Sequence, residues 1–157
     1  VMPCNLYGIG DNYHPQNAHV VPMLIRRFHE AKVQNLPETI VWGTGTPRRE
    51  FLFVDDLAEA IVYLMENKDA KDFGEFINIG SGYDMPISEI VEHIKETVGY
   101  KGKIVYDTTK PDGTMLKLMD VSKINALGWK AKTKLDEGLK IAYQDFLNKH
   151  EKELQKV

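Results

Sequence analysis

The stretch EFLFVDDLAEAIVYLMEN, residues 50–67, combines the pattern of a strand with that of a helix. Residues 50–54 are mostly apolar or aromatic, which predicts a buried strand. Apolar residues then recur at helical spacing as far as Met65, and Asp55 and Asp56 offer side-chain oxygens to the N-terminus of that helix. Because alternating strands and helices build α/β proteins, this stretch predicts the fold class.

The alternation continues on both sides of this stretch. Further strands are predicted over four short segments, residues 1–6, 39–42, 76–79 and 104–106. Further helices are predicted over residues 19–35, 88–98 and 122–127 and from Thr133 onwards. Ser88 and Thr133 are the expected N-caps, and Gly99 is the expected helix stop. Because the strands are short and the loops long, we expect part of a doubly wound, Rossmann-like sheet interleaved with a small α/β lobe in one segment, 1–157.

The composition is ordinary for a soluble globular chain. A formal net charge of −3 with interspersed lysines and acids argues against a nucleic-acid partner, and no apolar run approaches the roughly 20 residues that span a membrane. The single cysteine, Cys4, excludes an internal disulfide and a cysteine-based zinc site. The five histidines lack ligand spacing, so no metal site is expected. Together these features predict a cytoplasmic protein.

Several familiar motifs are absent from the sequence. It contains no G-x-G-x-x-G or P-loop run and no helical Tyr-x-x-x-Lys. The runs Gly43-Thr44-Gly45 and Gly80-Ser81-Gly82 are only G-x-G and predict tight turns. The first three residues, Val1-Met2-Pro3, resemble the end of a buried strand. We therefore expect part of a longer protein, the alternative being a complete small domain with a processed N-terminus.

Two segments near the N-terminus favour ligand chemistry. Asn5-Leu6-Tyr7-Gly8 places polar groups and open main chain at a strand end, where α/β sheets bind ligands, although a plain turn fits equally well. His19 precedes a predicted helix, where an imidazole can donate a proton near a bound anion. A surface or capping histidine is the alternative.

Two later segments favour an anionic ligand. The loop from Trp42 to Phe51 pairs an aromatic stacking face with Arg48 and Arg49, whose guanidinium groups suit phosphates. The alternative is a buried tryptophan beside a solvated basic turn. The segment 110–117 flanks a Pro-Asp-Gly turn with lysines that could reach a phosphate, although a plain turn explains it as well.

The order of these segments resembles the GDP-L-fucose synthase family of extended short-chain dehydrogenases. The resemblance covers nearly the whole chain, from Asn5-Leu6-Tyr7-Gly8 through the 42–56 loop and strand to Lys110-Pro111-Asp112-Gly113-Thr114. It implies a homodimer that uses NADP(H) and converts GDP-4-keto-6-deoxy-D-mannose to GDP-L-fucose by epimerising C3 and C5 and then reducing C4. The segment 49–56 is shared more widely, so another nucleotide-sugar epimerase or dehydratase, or a non-catalytic GDP-sugar-binding module, remains an alternative.

The resemblance also implies roles for individual residues. His19 matches the proton donor in epimerisation. The implied cofactor contacts are Pro3, Cys4, Asn5, Leu6 and His19. The implied GDP-sugar contacts are Arg27, Trp42, Arg49, Asp112 and Lys117, with Arg49 and Lys117 at the diphosphate and Trp42 near the guanine. The family's glycine-rich cofactor loop, serine and Tyr-x-x-x-Lys are absent, so we expect this chain alone to bind GDP-sugar weakly and to be inactive.

Overall fold

The computed structural model describes residues 1–154, with side chains described up to Lys149. The predicted α/β class is confirmed. Eight strands are present in this part of the chain: β1 Met2–Pro3, β2 Asn5–Tyr7, β3 Glu38–Trp42, β4 Arg48–Phe53, β5 Asn78–Ile79, β6 Asp84–Pro86, β7 Lys103–Asp107 and β8 Leu116–Lys117. Six helices accompany them: α1 Val20–Val33, α2 Val54–Asn67, α3 Ala70–Phe73, α4 Ile87–Val98, α5 Ser122–Ala126 and α6 Leu135–Leu154.

Strand β4 is the centre of the site-bearing sheet. Its C-terminal half pairs in parallel with β2, so that Asn5 lies opposite Phe51. Its N-terminal half pairs antiparallel with β6 and in parallel with β8, so that Arg49 lies opposite Lys117. Two further parallel pairs form separately, β1 with β5 and β3 with β7. Residues on β4 therefore lie between the end of β2 and the edge formed by β8.

Two apolar cores hold these strands. The larger core joins α1, α4 and α6, and its fully buried members include Phe28, Ile94 and Phe146. The smaller core lies under α2 and α5 and contains Leu52 and Trp129. In the part of the chain described, no helix is long and apolar enough to cross a bilayer.

The predicted first strand is interrupted. Residues 1–6 form two strands rather than one, because β1 pairs with β5 and β2 pairs with β4. Cys4 lies between β1 and β2, where the chain passes from pairing with β5 to pairing with β4. Three short elements carried no sequence prediction: α3, β6 and β8.

The N-cap predictions are wrong at all three helices, whereas the predicted stop at Gly99 is confirmed by its left-handed backbone, with φ 75°. Helix α2 begins at Val54, so Asp55 and Asp56 lie within its first turn. Helix α4 begins at Ile87 after Pro86. Helix α6 begins at Leu135 rather than Thr133. The oxygens of Asp56 are unavailable as caps because they accept hydrogen bonds from the chain preceding α6.

Candidate functional site

A groove of about 530 Å³ follows the carboxyl end of β2. Residues 4–11 line one side of it, and His19, Arg49 and Phe51 line the other. Gly8 shapes the turn, since its φ of +147° disfavours a side chain and an added Cβ would lie 2.7 Å from Val54 Cγ1. The absence of a side chain at Gly8 therefore leaves the backbone uncovered at this turn, where a flat ligand could approach closely.

The loop that borders this groove is fastened to α6. The backbone N–H of Gly10 donates to Asp145 Oδ2 at 2.9 Å, and the Tyr13 hydroxyl donates to the carbonyl of Ala142 at 2.9 Å. Tyr13 is buried against Phe146, with 5.0 Å between ring centroids. These contacts hold the loop that borders the groove against α6.

His19 stands at the N-cap position of α1 with an exposed side chain. It makes no side-chain cap hydrogen bond, so its imidazole is not committed to the helix end. Asp11 lines the same groove. Burial raises the pKa of Asp11 above its ordinary value, and the nearby His19 charge acts in the opposite direction. A titratable acid and an imidazole therefore share one groove.

A second cavity, of about 190 Å³, lies between α1 and the loop after β3. Trp42 is 57% exposed at its edge. The Arg27 guanidinium carbon and the Lys110 ammonium each lie 5.8 Å from the centre of the Trp42 ring system. Arg27 also donates to the Ile40 carbonyl at 2.7 Å, and burial lowers its pKa from the ordinary value. The indole is thus an accessible aromatic surface with two adjacent cations. The alternative that Trp42 is a buried tryptophan is wrong.

Asp112 fastens together the two loops beside Trp42. Its carboxylate accepts from the Thr44 backbone N–H at 2.6 Å and from the Thr44 hydroxyl at 2.8 Å. Gly43, with φ +82°, leaves room for this contact, since an added Cβ would lie 2.4 Å from Asp112 Oδ1. The Pro-Asp-Gly turn is therefore tied to the Gly43-Thr44-Gly45 turn, and Asp112 lines the cavity that these loops enclose.

Arg49 lines three neighbouring cavities. It lines the groove at β2, the cavity at Trp42 and a third cavity of about 450 Å³ beside residues 131–135. Lys117 lies opposite Arg49 in the β4–β8 ladder and is exposed. Arg48 differs from its neighbour because its guanidinium is paired with Asp84 at 2.8 Å. The arrangement places two basic residues side by side between an aromatic surface and a polar groove.

The first half of the chain matches a family model. Residues 1–80 match the NAD dependent epimerase/dehydratase family. The chain belongs to this family.

Individual members of the family resemble the chain closely. A probable GDP-L-fucose synthase 1 from Oryza sativa subsp. japonica is 56% identical over 91% of this chain and 43% of its own length. The GDP-L-fucose synthase of Escherichia coli K12 is 48% identical over 97% of this chain and 49% of its own length. A GDP-L-fucose synthetase structure from Naegleria fowleri bound to NADP has 30% identity and a TM-score of 0.87, covering 96% of this chain and 45% of that one. The chain thus spans about half the length of the proteins it matches.

The structure of this epimerase/dehydratase-family chain brings most of the predicted site residues together. Cys4, Asn5 and Leu6 line the groove with His19 and Arg49. Trp42 and Asp112 line the second cavity with Arg49. The Arg27 guanidinium lies over the Trp42 ring, and Lys117 lies beside Arg49 in the β4–β8 ladder. Pro3 is set apart: it lies in β1 opposite Ile79 and does not line the groove.

Sequence reasoning missed the buried carboxylate of Glu50 and assigned the wrong role to that of Asp56. Glu50 is fully buried, and its carboxylate accepts from the Gly82 N–H at 2.7 Å and the Met119 N–H at 2.9 Å. Asp56 is 4% exposed and accepts three hydrogen bonds from Lys132 and Thr133. The available signal for Glu50 was an acidic residue inside an otherwise apolar strand.

Cys4 is an unreactive thiol in this setting. Burial, reinforced by the negative charge of Glu50, raises the pKa of Cys4 to about 12. A thiol with so high a pKa is almost wholly protonated near neutral pH, and the thiolate is the nucleophilic form. Cys4 is therefore suited to lining the groove and not to attacking a substrate.

Proposed function

We propose that this chain holds the GDP-sugar of a GDP-L-fucose synthase, which epimerises C3 and C5 of GDP-4-keto-6-deoxy-D-mannose and reduces C4. The observation that carries the proposal is the position of Arg49, which lines both the cavity beside Trp42 and the groove beside His19. A sugar nucleotide has the same order of parts, with a diphosphate between a base and a sugar. The names of the relatives support the choice of GDP-L-fucose as the product.

The binding roles follow from this order. The exposed Trp42 indole suits the guanine, and the Arg27 and Lys110 side chains over the ring add positive charge. Arg49 and Lys117, opposite each other in the ladder, suit the diphosphate, since guanidinium and ammonium groups form charge-assisted hydrogen bonds with phosphate oxygens. Asp112 keeps the loops around the base closed through Thr44 and is proposed to contact the nucleotide from that position.

The sugar would then lie in the groove beside His19. A 4-keto group acidifies the protons at C3 and C5, so each can be removed by a base and returned on the opposite face by an acid. His19 is proposed as that acid, because its imidazole lines the groove and makes no cap hydrogen bond.

The same groove suits one end of a dinucleotide. It is lined by residues 5–10 and has room for a flat ring, as expected for contact with a nicotinamide. NADP(H), when bound, supplies the hydride that reduces the C4 ketone. Asn5 and Leu6 are the residues proposed to lie against it, whereas Pro3 lies outside the groove.

Reduction needs groups that this chain does not contain. Its sequence has no helical Tyr-x-x-x-Lys to protonate the C4 oxygen and no glycine-rich loop to hold a pyrophosphate. We therefore propose that residues 1–157 form the substrate-binding lobe and a remnant of the cofactor sheet, and that the chain alone binds without turnover. The complete enzyme is proposed to be a cytoplasmic homodimer.

Calorimetric titration of the purified chain with GDP tests the proposal, with UDP and NADPH as comparison ligands. We expect GDP to bind more tightly than UDP and Arg49→Ala to weaken GDP binding by about tenfold or more, the usual scale of a lost charge-assisted phosphate contact. Arg48→Ala is the matched control, because that neighbouring guanidinium is engaged by Asp84. Equal binding of GDP and UDP, or equal effects of the two substitutions, would contradict it.

A further inference from the structure

Glu50 is an unusual residue for the interior of a strand. It is fully buried, and among the described residues no salt bridge involves it. Burying a carboxylate is costly unless hydrogen bonds replace its hydration. The identity of the donors to this carboxylate is therefore informative.

The donors come from two segments that are distant in sequence. Oε1 accepts from the Gly82 N–H at 2.7 Å and lies 3.4 Å from the Ser81 hydroxyl. Oε2 accepts from the Met119 N–H at 2.9 Å. A Cβ on Gly80 would lie 2.2 Å from Oε1, so this turn can wrap the carboxylate only with glycine at position 80. The Gly80-Ser81-Gly82 turn therefore wraps around the carboxylate of Glu50.

The Met119 N–H that donates to Glu50 lies two residues after Lys117, just beyond β8. That strand has only two residues and stands at the sheet edge, with Leu116 and Leu118 exposed on either side of Lys117. Its apolar side chains thus contribute little to holding it. Besides its ladder with β4, it is held by the bond from the Arg48 N–H to the Met115 carbonyl at 2.8 Å, by the packing of Met119 against the smaller core and by the bond from the Met119 N–H to Glu50.

We infer that Glu50 is a positioning residue for Arg49 and Lys117, the two residues proposed to bind the diphosphate. Its buried carboxylate holds β8 against β4 and so keeps Lys117 beside Arg49. Arg49 precedes Glu50 directly, and Lys117 is two residues before Met119, so one carboxylate connects both basic residues. The Asn5 amide also donates to the Glu50 carbonyl at 2.8 Å, which ties the groove to the same point. This inference rests on the proposed function, because it assumes that a diphosphate lies between the two basic residues.

Glu50→Gln is the variant that tests this inference most directly. Glutamine keeps the shape but has one acceptor oxygen, so its NH₂ group must face either the Gly82 N–H or the Met119 N–H. We expect hydrogen exchange at one of these two amides to accelerate by about tenfold or more, as an opened hydrogen bond allows. Glu96→Gln, on an exposed position of α4, is the control for the change in charge. Unchanged exchange at both amides would overturn the inference whatever the ligand data show.

Ligand binding separates positioning from general damage. We expect Glu50→Gln to weaken GDP binding about tenfold while guanosine, which lacks the phosphates, binds as it does to the wild-type chain. We also expect the double variant Glu50→Gln/Lys117→Ala to bind GDP as weakly as Lys117→Ala alone, because both changes remove the same contact. Additive losses, or an equal loss for guanosine, would overturn the inference.

The two proposals fail in different ways. If wild-type chain does not bind GDP, the proposed function is wrong and the phosphate role of Glu50 is wrong with it. If wild-type chain binds GDP and Glu50→Gln binds it equally well, only the role of Glu50 is wrong.

Discussion

Asp56 is expected to stabilise the fold by tying α2 to the chain that enters α6. Oδ2 accepts from the backbone N–H groups of Lys132, at 3.1 Å, and Thr133, at 2.9 Å, and Oδ1 accepts from the Thr133 hydroxyl at 2.9 Å. Asp56→Ala removes the acceptor for all three donors. The carboxylate is 4% exposed, but Lys132 lies at the surface, so water can reach part of what is left.

The magnitude follows from these contacts. Hydrogen bonds to charged groups contribute about 1.5–3 kcal/mol each, and partial hydration reduces their sum, so we expect Asp56→Ala to cost about 3 kcal/mol of unfolding free energy. For a domain of this size that corresponds to a fall in Tm of about 6–12 °C. Asp56→Asn should cost roughly half as much, because its oxygen can accept from the two N–H groups while its NH₂ group donates to the Thr133 hydroxyl.

Urea unfolding at pH 7 provides the assay, with Asp55→Ala as the matched control. Asp55 lies in the same first turn of α2 but is exposed, so its loss removes only a favourable charge near the helix N-terminus, about 0.3–1 kcal/mol. If Asp56→Ala and Asp55→Ala destabilise the chain equally, the contacts with residues 132–133 carry no stability and the reasoning is wrong.

Two further predictions concern buried titratable groups. Because the pKa of Cys4 is about 12 against an ordinary 9.0, iodoacetamide should alkylate it at pH 8 roughly a thousandfold more slowly than a free thiol, and Glu50→Gln should accelerate the reaction; a rate typical of free cysteine would contradict this. Burial also raises the pKa values of Tyr7 and Tyr13, so the unfolded chain loses these phenol protons first as pH rises. The free energy of unfolding should therefore be fully retained below about pH 9 and fall above it, and a urea midpoint unchanged between pH 8 and pH 10.5 would contradict the expectation.

Local patterns were sufficient for the fold class and for the order of the longer elements. The 50–67 stretch became β4 and α2, and the helix predicted over 88–98 became α4 almost residue for residue. Gly99 ended α4 as expected, because only a residue that tolerates positive φ closes a helix in this way. These features depend on neighbours within a few residues, so the sequence displays them directly.

Short strands gave no such signal. Strands β6 and β8 have three and two residues, too few for any periodicity to appear. They exist because β4 offers each of them an edge, which is a property of the folded sheet. The burial of Trp42 was likewise decided only by packing, which left 57% of that residue exposed.

The sequence by itself determined the α/β class, the order of the longer elements, a set of candidate binding residues and a resemblance that the family match confirms. Only the tertiary structure decided which polar groups meet: Arg49 beside Lys117, Glu50 in its glycine turn and Asp56 on the chain before α6. The physical reason is distance along the chain. Apolar periodicity acts between near neighbours, whereas the carboxylates of Glu50 and Asp56 accept from donors 31 to 77 residues away, which packing alone brings into reach.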